Sequence, residues 1–189
     1  GFDAEYNAFT FAGSDDYIQA SLDWSGDVTH SMSFWLKRDS GTTNQQVPIF
    51  VGSISDTDSV LIDSISSISL REDNVNWFFG FNDIQYNYTT STLAKDEWHH
   101  FALSYTSGAS GPENKKLYMN GIETSVSVDS HTSNTLSFNS SDTYIRIGGG
   151  YYSTIEEDFK GSVANFRLYK DKALNADQVR ELYEYDAER

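Results

Sequence analysis

Residues 97–121 read EWHHFALSYTSGASGPENKKLYMNG, two strand patterns and a sharp turn in one stretch. From Trp98 to Tyr105 the residues alternate, with Phe101, Leu103 and Tyr105 on one side and Trp98, His100 and Ala102 on the other. This is the period of a strand buried on at least one face. Small, polar and turn-forming residues fill Ser107 to Asn114, and Lys116 to Met119 resumes an extended pattern that ends at Asn120-Gly121. Asn-Gly is the preferred pair for a two-residue type I′ turn, because both central residues need positive φ. The unit is therefore strand, loop, strand, tight turn, strand, and the rest of the chain is expected to pack on it.

The order of motifs adds a resemblance. Trp98-His99-His100-Phe101-Ala102, a loop, and Leu117-Tyr118-Met119-Asn120-Gly121 resemble the central hairpin of laminin-G-like and pentraxin-like domains of the concanavalin A-like superfamily. Phe11 to Ile18 resembles the opening strand pair, and Phe34-Trp35-Leu36 the following core strand. Phe159 to Tyr169 followed by Ala173 to Val179 resembles the closing strand and terminal helix. The resemblance spans about residues 8–185 and implies an all-β, two-sheet antiparallel jelly-roll sandwich with a short C-terminal helix. It also implies glycan or protein recognition and, in many members, a structural calcium ion.

Composition bounds the alternatives. The 189 residues suffice for one well-buried domain, and 15% aromatic residues can fill its core. Twenty-eight acidic residues against thirteen basic give a net charge of −15 and an isoelectric point near 4.4. Such a field repels polyanions, so nucleic acid and anionic membrane are poor partners. The absence of cysteine removes disulfides, thiol nucleophiles and Cys-based zinc sites. No run approaches the roughly 20 apolar residues of a spanning helix, and no signal-peptide pattern opens the chain. Because the sequence starts at Gly1-Phe-Asp without an initiator Met, it is expected to be a domain excised from a longer polypeptide or a processed product; one domain, 1–189, is the economical reading, and the binding-module reading below places it in an extracellular, cell-surface or virion-surface protein.

Around the central unit, Phe9 and Phe11 with Tyr17, Ile18 and Ala20 flank Gly13-Ser-Asp15-Asp16, which reads as a first hairpin. Asp15 and Asp16 either form that turn or serve as calcium ligands. Met32, Phe34 and Leu36 alternate with Trp35 as a core strand. Pro48 places Val47 to Val51 at a strand start or a sheet edge. Gly52 to Ser69 reads as loop, strand, turn, strand, and its spacing from Asp56 is not that of an EF-hand. Trp77, Phe79 and Phe81 share one face of the next strand, and Tyr86 and Tyr88 project alike from its neighbour. That tyrosine pair either caps the core or stacks on a sugar ring. Gly148-Gly-Gly-Tyr151-Tyr152 reads as a flexible loop ending in two aromatics, at least one of them exposed, which is common equipment of a binding surface. Near the end, Asn175 as N-cap, Gln178 at N3, Asp177 in the first turn and a Leu174–Val179 staple predict a helix from about Ala176 to Tyr185.

Candidate chemistry is sparse. A retaining glycosidase needs two carboxylates about 5–5.5 Å apart, and the resemblance implies them on one strand as Glu-x-Asp-x-x-Glu. The nearest match, Glu156-Glu157-Asp158-Phe-Lys-Gly161, ends in glycine. His99 and His100 are adjacent on a strand and so point to opposite faces, which prevents them from sharing an ion. His30 and His131 are expected in separate loops. The sequence therefore predicts a non-enzymatic binding module, with glycan recognition and a structural or protein-adhesion role as the two readings. Tyr151 and Tyr152, then Tyr86 and Tyr88, are the ligand-binding candidates. Asp15 or Asp16 with Asp158 is the expected carboxylate set of a structural calcium ion, carried by the resemblance and by repulsion within Glu156-Glu157-Asp158.

Overall fold

The computed structural model describes residues 1–3, 7–41, 45–53, 65–71, 74–79, 84–89, 93–108, 112–125, 127–131, 136–138, 142–152 and 155–188. The first sheet contains β1 (Phe2–Asp3), β2 (Ala8–Ala12), β4 (His30–Arg38), β9 (Trp98–Tyr105), β10 (Lys115–Met119), β11 (Ile122–Glu123) and β16 (Lys160–Lys170). The second contains β3 (Ile18–Ser21), β5 (Gln46–Ser53), β6 (Ile65–Arg71), β7 (Asn74–Phe79), β8 (Ile84–Thr89), β12 (Ser127–His131) and β13 (Thr143–Ile147). Their strand orders are β1-β2-β16-β4-β9-β10-β11 and β12-β8-β7-β6-β5-β13-β3. A two-stranded ribbon of β14 (Gly149–Tyr152) and β15 (Ile155–Asp158) and the helix α1 (Ala176–Ala187) complete the described elements. All pairings are antiparallel, which is the jelly-roll sandwich read from the sequence.

Alternation decides what fills the space between the sheets. Met32, Phe34 and Leu36 of β4 meet Phe101, Leu103 and Tyr105 of β9 in one core with Ile49, Val51, Ile68, Leu70, Val75 and Trp77. Phe34 lies against Phe101 with ring centroids 5.9 Å apart. On the outer face of the first sheet, Ala102 and Tyr118 pack under Leu174 and Val179, so α1 covers that face. The predicted capping box is present: Asn175 Oδ1 accepts the Gln178 N–H at 3.0 Å, and Gln178 Oε1 accepts the Asn175 N–H at 3.1 Å. The Asn120-Gly121 turn has φ of 50° and 78°, as a type I′ turn requires. Asn120 also ties the turn down, its Oδ1 accepting the His100 N–H at 2.9 Å.

A bulge in β16 joins helix to sheet. Ala164 pairs with Trp35 but Arg167 pairs with Ser33, so one extra residue is inserted, and Asn165 takes φ 49°. Val163, Phe166 and Leu168 thereby all reach the core while Arg167 turns outward. Its guanidinium binds the Asp186 carboxylate of α1 bidentately at 2.7 and 2.8 Å. With Asp186 buried and Arg167 only partly so, Asp186→Ala should cost about 2–3 kcal/mol, because it strands a half-buried cation. In urea titrations the Arg167→Leu, Asp186→Ala double variant should lose less than the two single losses added, and strict additivity would refute this.

Several expectations needed correction. The Gly13–Asp16 turn does not close a hairpin, because β2 belongs to the first sheet and β3 to the second. It is a corner between layers, and locally a corner and a hairpin use the same turn residues. Pro48 lies in β5, an interior strand between β6 and β13. It is accommodated by a register irregularity between Gln46 and Ile49, so strand start was correct and edge was not. His30 opens β4 and is buried, and His131 closes β12, so neither lies in a loop. Leu136 to Phe138, whose apolar pattern reads as a strand, makes an isolated bridge from Phe138 to Gly26. Of Gly52 to Ser69, residues 54–64 lie outside the described residues, as does Phe81.

Candidate functional site

The glycine run predicted as a loop is a strand. Gly149 pairs with Asp158, Gly150 with Glu157, Tyr151 with Glu156 and Tyr152 with Ile155. Glycine is what lets this ribbon lie against the sandwich. A Cβ on Gly150 would stand 2.6 Å from both Phe50 Cβ and Val47 Cγ1, so the backbone of β14 rests directly on β5. Gly148 has φ +100° and leaves no room for a Cβ between the Phe11 ring and the Asp16 carbonyl, 2.7 Å away. Its N–H donates to the Pro48 carbonyl at 2.9 Å, anchoring the base of the ribbon. Gly150→Ala should therefore lift the ribbon and lower stability by about 1–3 kcal/mol, as overpacking does. Thermal melting checks this, and an unchanged melting point would contradict the seating.

The ribbon places the first-choice tyrosines at positions 151 and 152, on opposite faces of β14 by strand alternation. Gly150 faces the sheet, and the side chains of Tyr151 and Tyr152 lie outside the described residues. Tyr86 and Tyr88 are the register partners of Trp77 and Val75. Their side chains too lie outside the described residues.

Tyr17 is the residue that the sequence reading missed as a site. It was placed in a supposed hairpin, yet its Cβ lies 3.8 Å from where a Gly149 Cβ would be, beside the ribbon. The residue is 42% exposed, enough to offer surface to a ligand. The Arg146 guanidinium stacks on it 4.1 Å from the centroid and is held by Gln19 Oε1 at 2.6 Å. Tyr17 thus brings a fixed aromatic ring and a hydrogen-bonding cation together. Only the three-dimensional return of β13 and β14 beside β3 brings it there.

The acidic candidates divide. Asp15 is exposed with φ 54°, and Asp16 Oδ2 accepts the Ala12 N–H at 3.0 Å, so both do turn work. The Asp158 carboxylate lies 3.7 Å from a notional Gly149 Cβ, next to the Gly148 position touched by the Asp16 carbonyl. The N-terminal corner thus lies beside Gly148, and Asp158 beside Gly149. Among the described residues no group of three His, Cys, Asp or Glu converges as a metal cage.

The histidines separate as strand geometry requires. His99 shares the core-facing parity of Phe101, and its Nε2 lies 3.2 Å from the Ala94 carbonyl. His100 lies on the opposite face beneath α1, between Trp35 and Tyr183, with Nε2 2.9 Å from Ser33 Oγ. Desolvation pulls its pKa down to about 4, partly opposed by Asp186. At position 161, where a hydrolase pattern would carry its acid/base, the missing side chain's space is filled by the Phe159 ring and the Lys37 carbonyl, and φ is +153°. No carboxylate could be placed there without moving β4.

A family model described as the concanavalin A-like lectin/glucanases superfamily, Laminin_G_3, matches residues 12–180. The chain belongs to this superfamily. A sequence search of curated proteins finds no match to this concanavalin A-like domain. Solved structures similar to it include the botulinum neurotoxin serotype D binding domain (TM-score 0.65, 18% identity, 95% of this chain and 42% of that one). A heptameric SAP-like pentraxin from Limulus polyphemus is similar over 93% of this chain and 81% of its own (TM-score 0.64, 13% identity). Domain 4 of AbnA, an extracellular GH43 arabinanase from Geobacillus stearothermophilus solved in complex with arabinotriose, is similar over 93% and 76% (TM-score 0.61, 22% identity). The concanavalin A-like domain spans less than half the length of the toxin domains it resembles. At these identities the likeness shows the fold, which serves binding domains for the most part and some hydrolases. Among the described residues no helix is long and apolar enough to cross a membrane.

Proposed function

We propose that this domain is a non-catalytic carbohydrate-binding module of a secreted, cell-surface or virion-surface protein, with its site on the β14–β15 ribbon. The observation that supports this most is the seating of Gly149–Tyr152 on β5 by a glycine backbone, with the exposed Tyr17 beside Gly149 at the base of the same ribbon. Aromatic rings stack on the apolar face of a sugar, and the buried Arg146 holds the Tyr17 ring in place. Tyr86 and Tyr88 are the second choice. That a similar domain was solved with arabinotriose supports the ligand class.

Calorimetric titration with neutral oligosaccharides, beginning with arabinotriose, tests the site. Tyr151→Ala and Tyr17→Ala should each weaken binding roughly tenfold, near the loss of one aromatic contact, with little change in melting temperature. Unfolding of these variants with binding intact per folded molecule would move the site elsewhere.

A structural calcium ion at the corner, held by Asp158 and by Asp15 or Asp16, is part of the proposal. The residues fit it in part: the Asp16 carbonyl lies beside Gly148 and the Asp158 carboxylate beside Gly149, while calcium takes six to eight oxygens. An ion bound only by the folded state should add about 2.7 kcal/mol at a hundredfold excess over Kd. Melting with calcium and with a chelator measures this, and identical curves would remove the ion.

Protein adhesion is the second reading, favoured by one feature. Phe2 and Phe9, exposed at 58% and 46%, pack edge to face 5.3 Å apart on the rim of the first sheet. Such a pair suits a protein contact.

A further inference from the structure

A second pocket lies on the opposite side of the sandwich from the ribbon, where the outer face of the first sheet meets the start of α1. Its volume is about 230 Å³. Strand pairing supplies its floor: Ser104 sits across from Lys116, and Ala102 across from Tyr118, all on the outward parity of β9 and β10. Thr106 and Asn114 close one side, their backbones joined by the Thr106 N–H to the Asn114 carbonyl at 3.0 Å. Ala173, Leu174 and Ala176 form an apolar wall.

Two polar groups there have no partner within the described protein. The hydroxyl of Tyr118, a residue with 0% exposure, makes no hydrogen bond, and neither does the buried Nδ2 of Asn114. Burial and the nearby Glu123 push the Tyr118 phenol up to about 12, so it is an O–H donor at any physiological pH. A buried donor without an acceptor costs on the order of 1–3 kcal/mol, and two at one pocket call for an oxygen-bearing occupant.

The pocket's other groups select among occupants. An anion is disfavoured although a helix begins here. The Gln178 and Asn175 N–H groups are already taken by the capping box, Lys116 is paired with Glu123 at 3.1 Å, and Glu113 lines the rim. A purely apolar ligand would leave both donors unmet. At well under the roughly 300 Å³ of small-molecule pockets, the cavity admits no more than one ring. A sugar ring has the required character, with hydroxyls for the polar side and C–H groups for Leu174 and the alanines.

We infer that the pocket between β9, β10 and the start of α1 is a second carbohydrate subsite, which takes a single neutral sugar residue through the Tyr118 hydroxyl and the Asn114 amide. The module then has two sites on opposite sheets, and this one does not depend on the ribbon. The test is titration of the ¹⁵N-labelled domain with D-glucose, D-galactose, D-mannose and L-arabinose, each to roughly 50 mM, which reveals millimolar binding. For at least one sugar, amides of Ser104, Thr106, Asn114 and Ala176 should shift together. Tyr118→Phe should raise that dissociation constant roughly fivefold to tenfold while melting no lower than the wild type, since it removes a buried hydroxyl that bonds nothing in the protein. Asn114→Ala should weaken the same sugar without altering the ribbon's resonances. Tyr151→Ala should leave these shifts intact, which separates failure of this subsite from failure of the ribbon site. The inference is overturned if no sugar moves these amides, if Tyr118→Phe and Asn114→Ala bind as the wild type does, or if the shifts disappear with Tyr151→Ala.

Discussion

Between pH 7 and pH 4 the domain is expected to lose on the order of 5 kcal/mol of stability through two buried histidines. Burial holds the pKa of both His30 and His100 down at about 4, against 6.5 for the free side chain. The unfolded chain therefore binds more protons between these values, so stability rises with pH there. It is fully present above about pH 6.5, falls as the pH drops toward 4, and changes no further below that through these groups. Each histidine contributes on the order of 3 kcal/mol, which against a usual total of about 5–15 kcal/mol brings the domain near unfolding.

The geometry explains why neither imidazole accepts a proton readily. A carbonyl can only accept, so the 2.8 Å contact to the Val28 carbonyl puts the His30 proton on Nδ1 and leaves Nε2 to accept from Ser66 Oγ at 3.1 Å. Trp24, Tyr105 and Phe138 surround the ring, and the charge of Asp27 favours its protonation. Around His100, Asp186 and Arg167 act in opposite directions. Acid also relieves the repulsion of a chain at −15, which stabilises and runs the other way. The decisive comparison is thus between proteins: urea titrations at pH 7.5, 6, 5 and 4 should show a shallower pH dependence for His30→Gln and His100→Gln than for wild type. Parallel pH dependences would refute the assignment.

Trp77→Ala is expected to cost about 3–5 kcal/mol, the range for truncating a buried tryptophan. Trp77 is fully buried at the heart of the core, and its Nε1–H donates to Ser66 Oγ at 3.2 Å. Ser66 is the hydroxyl that serves His30, so the substitution removes both packing and one link of a Trp77–Ser66–His30–Val28 chain. Its effect should be non-additive with His30→Gln. A loss below about 1 kcal/mol would mean that the two sheets do not close on Trp77.

What was legible in the sequence was local or periodic. The Asn120-Gly121 turn, the Asn175–Gln178 capping box and the two faces of β4 and β9 each follow from neighbours in the chain. The Gly13–Asp16 turn was misread because joining two strands in one sheet and crossing between sheets use the same residues. Gly148 to Tyr152 was misread because glycine density signals a loop, whereas here it reports a backbone lying on Phe50 and Val47. Tyr17 and the Tyr118–Asn114 pocket had no sequence signal, since each is assembled from strands distant in the chain. His30 looked like a loop residue because nothing near it in sequence announces Ser66 or Trp77.

The claim that this domain recognises carbohydrate is tested most directly by probing a glycan array with the isolated domain, in calcium and in chelator. The account predicts selective binding to a family of glycans sharing one terminal or internal motif, lost in a Tyr151→Ala, Tyr118→Phe double variant that melts like the wild type. An array with no signal above a denatured control, from a domain that is folded by its melting curve, would contradict it.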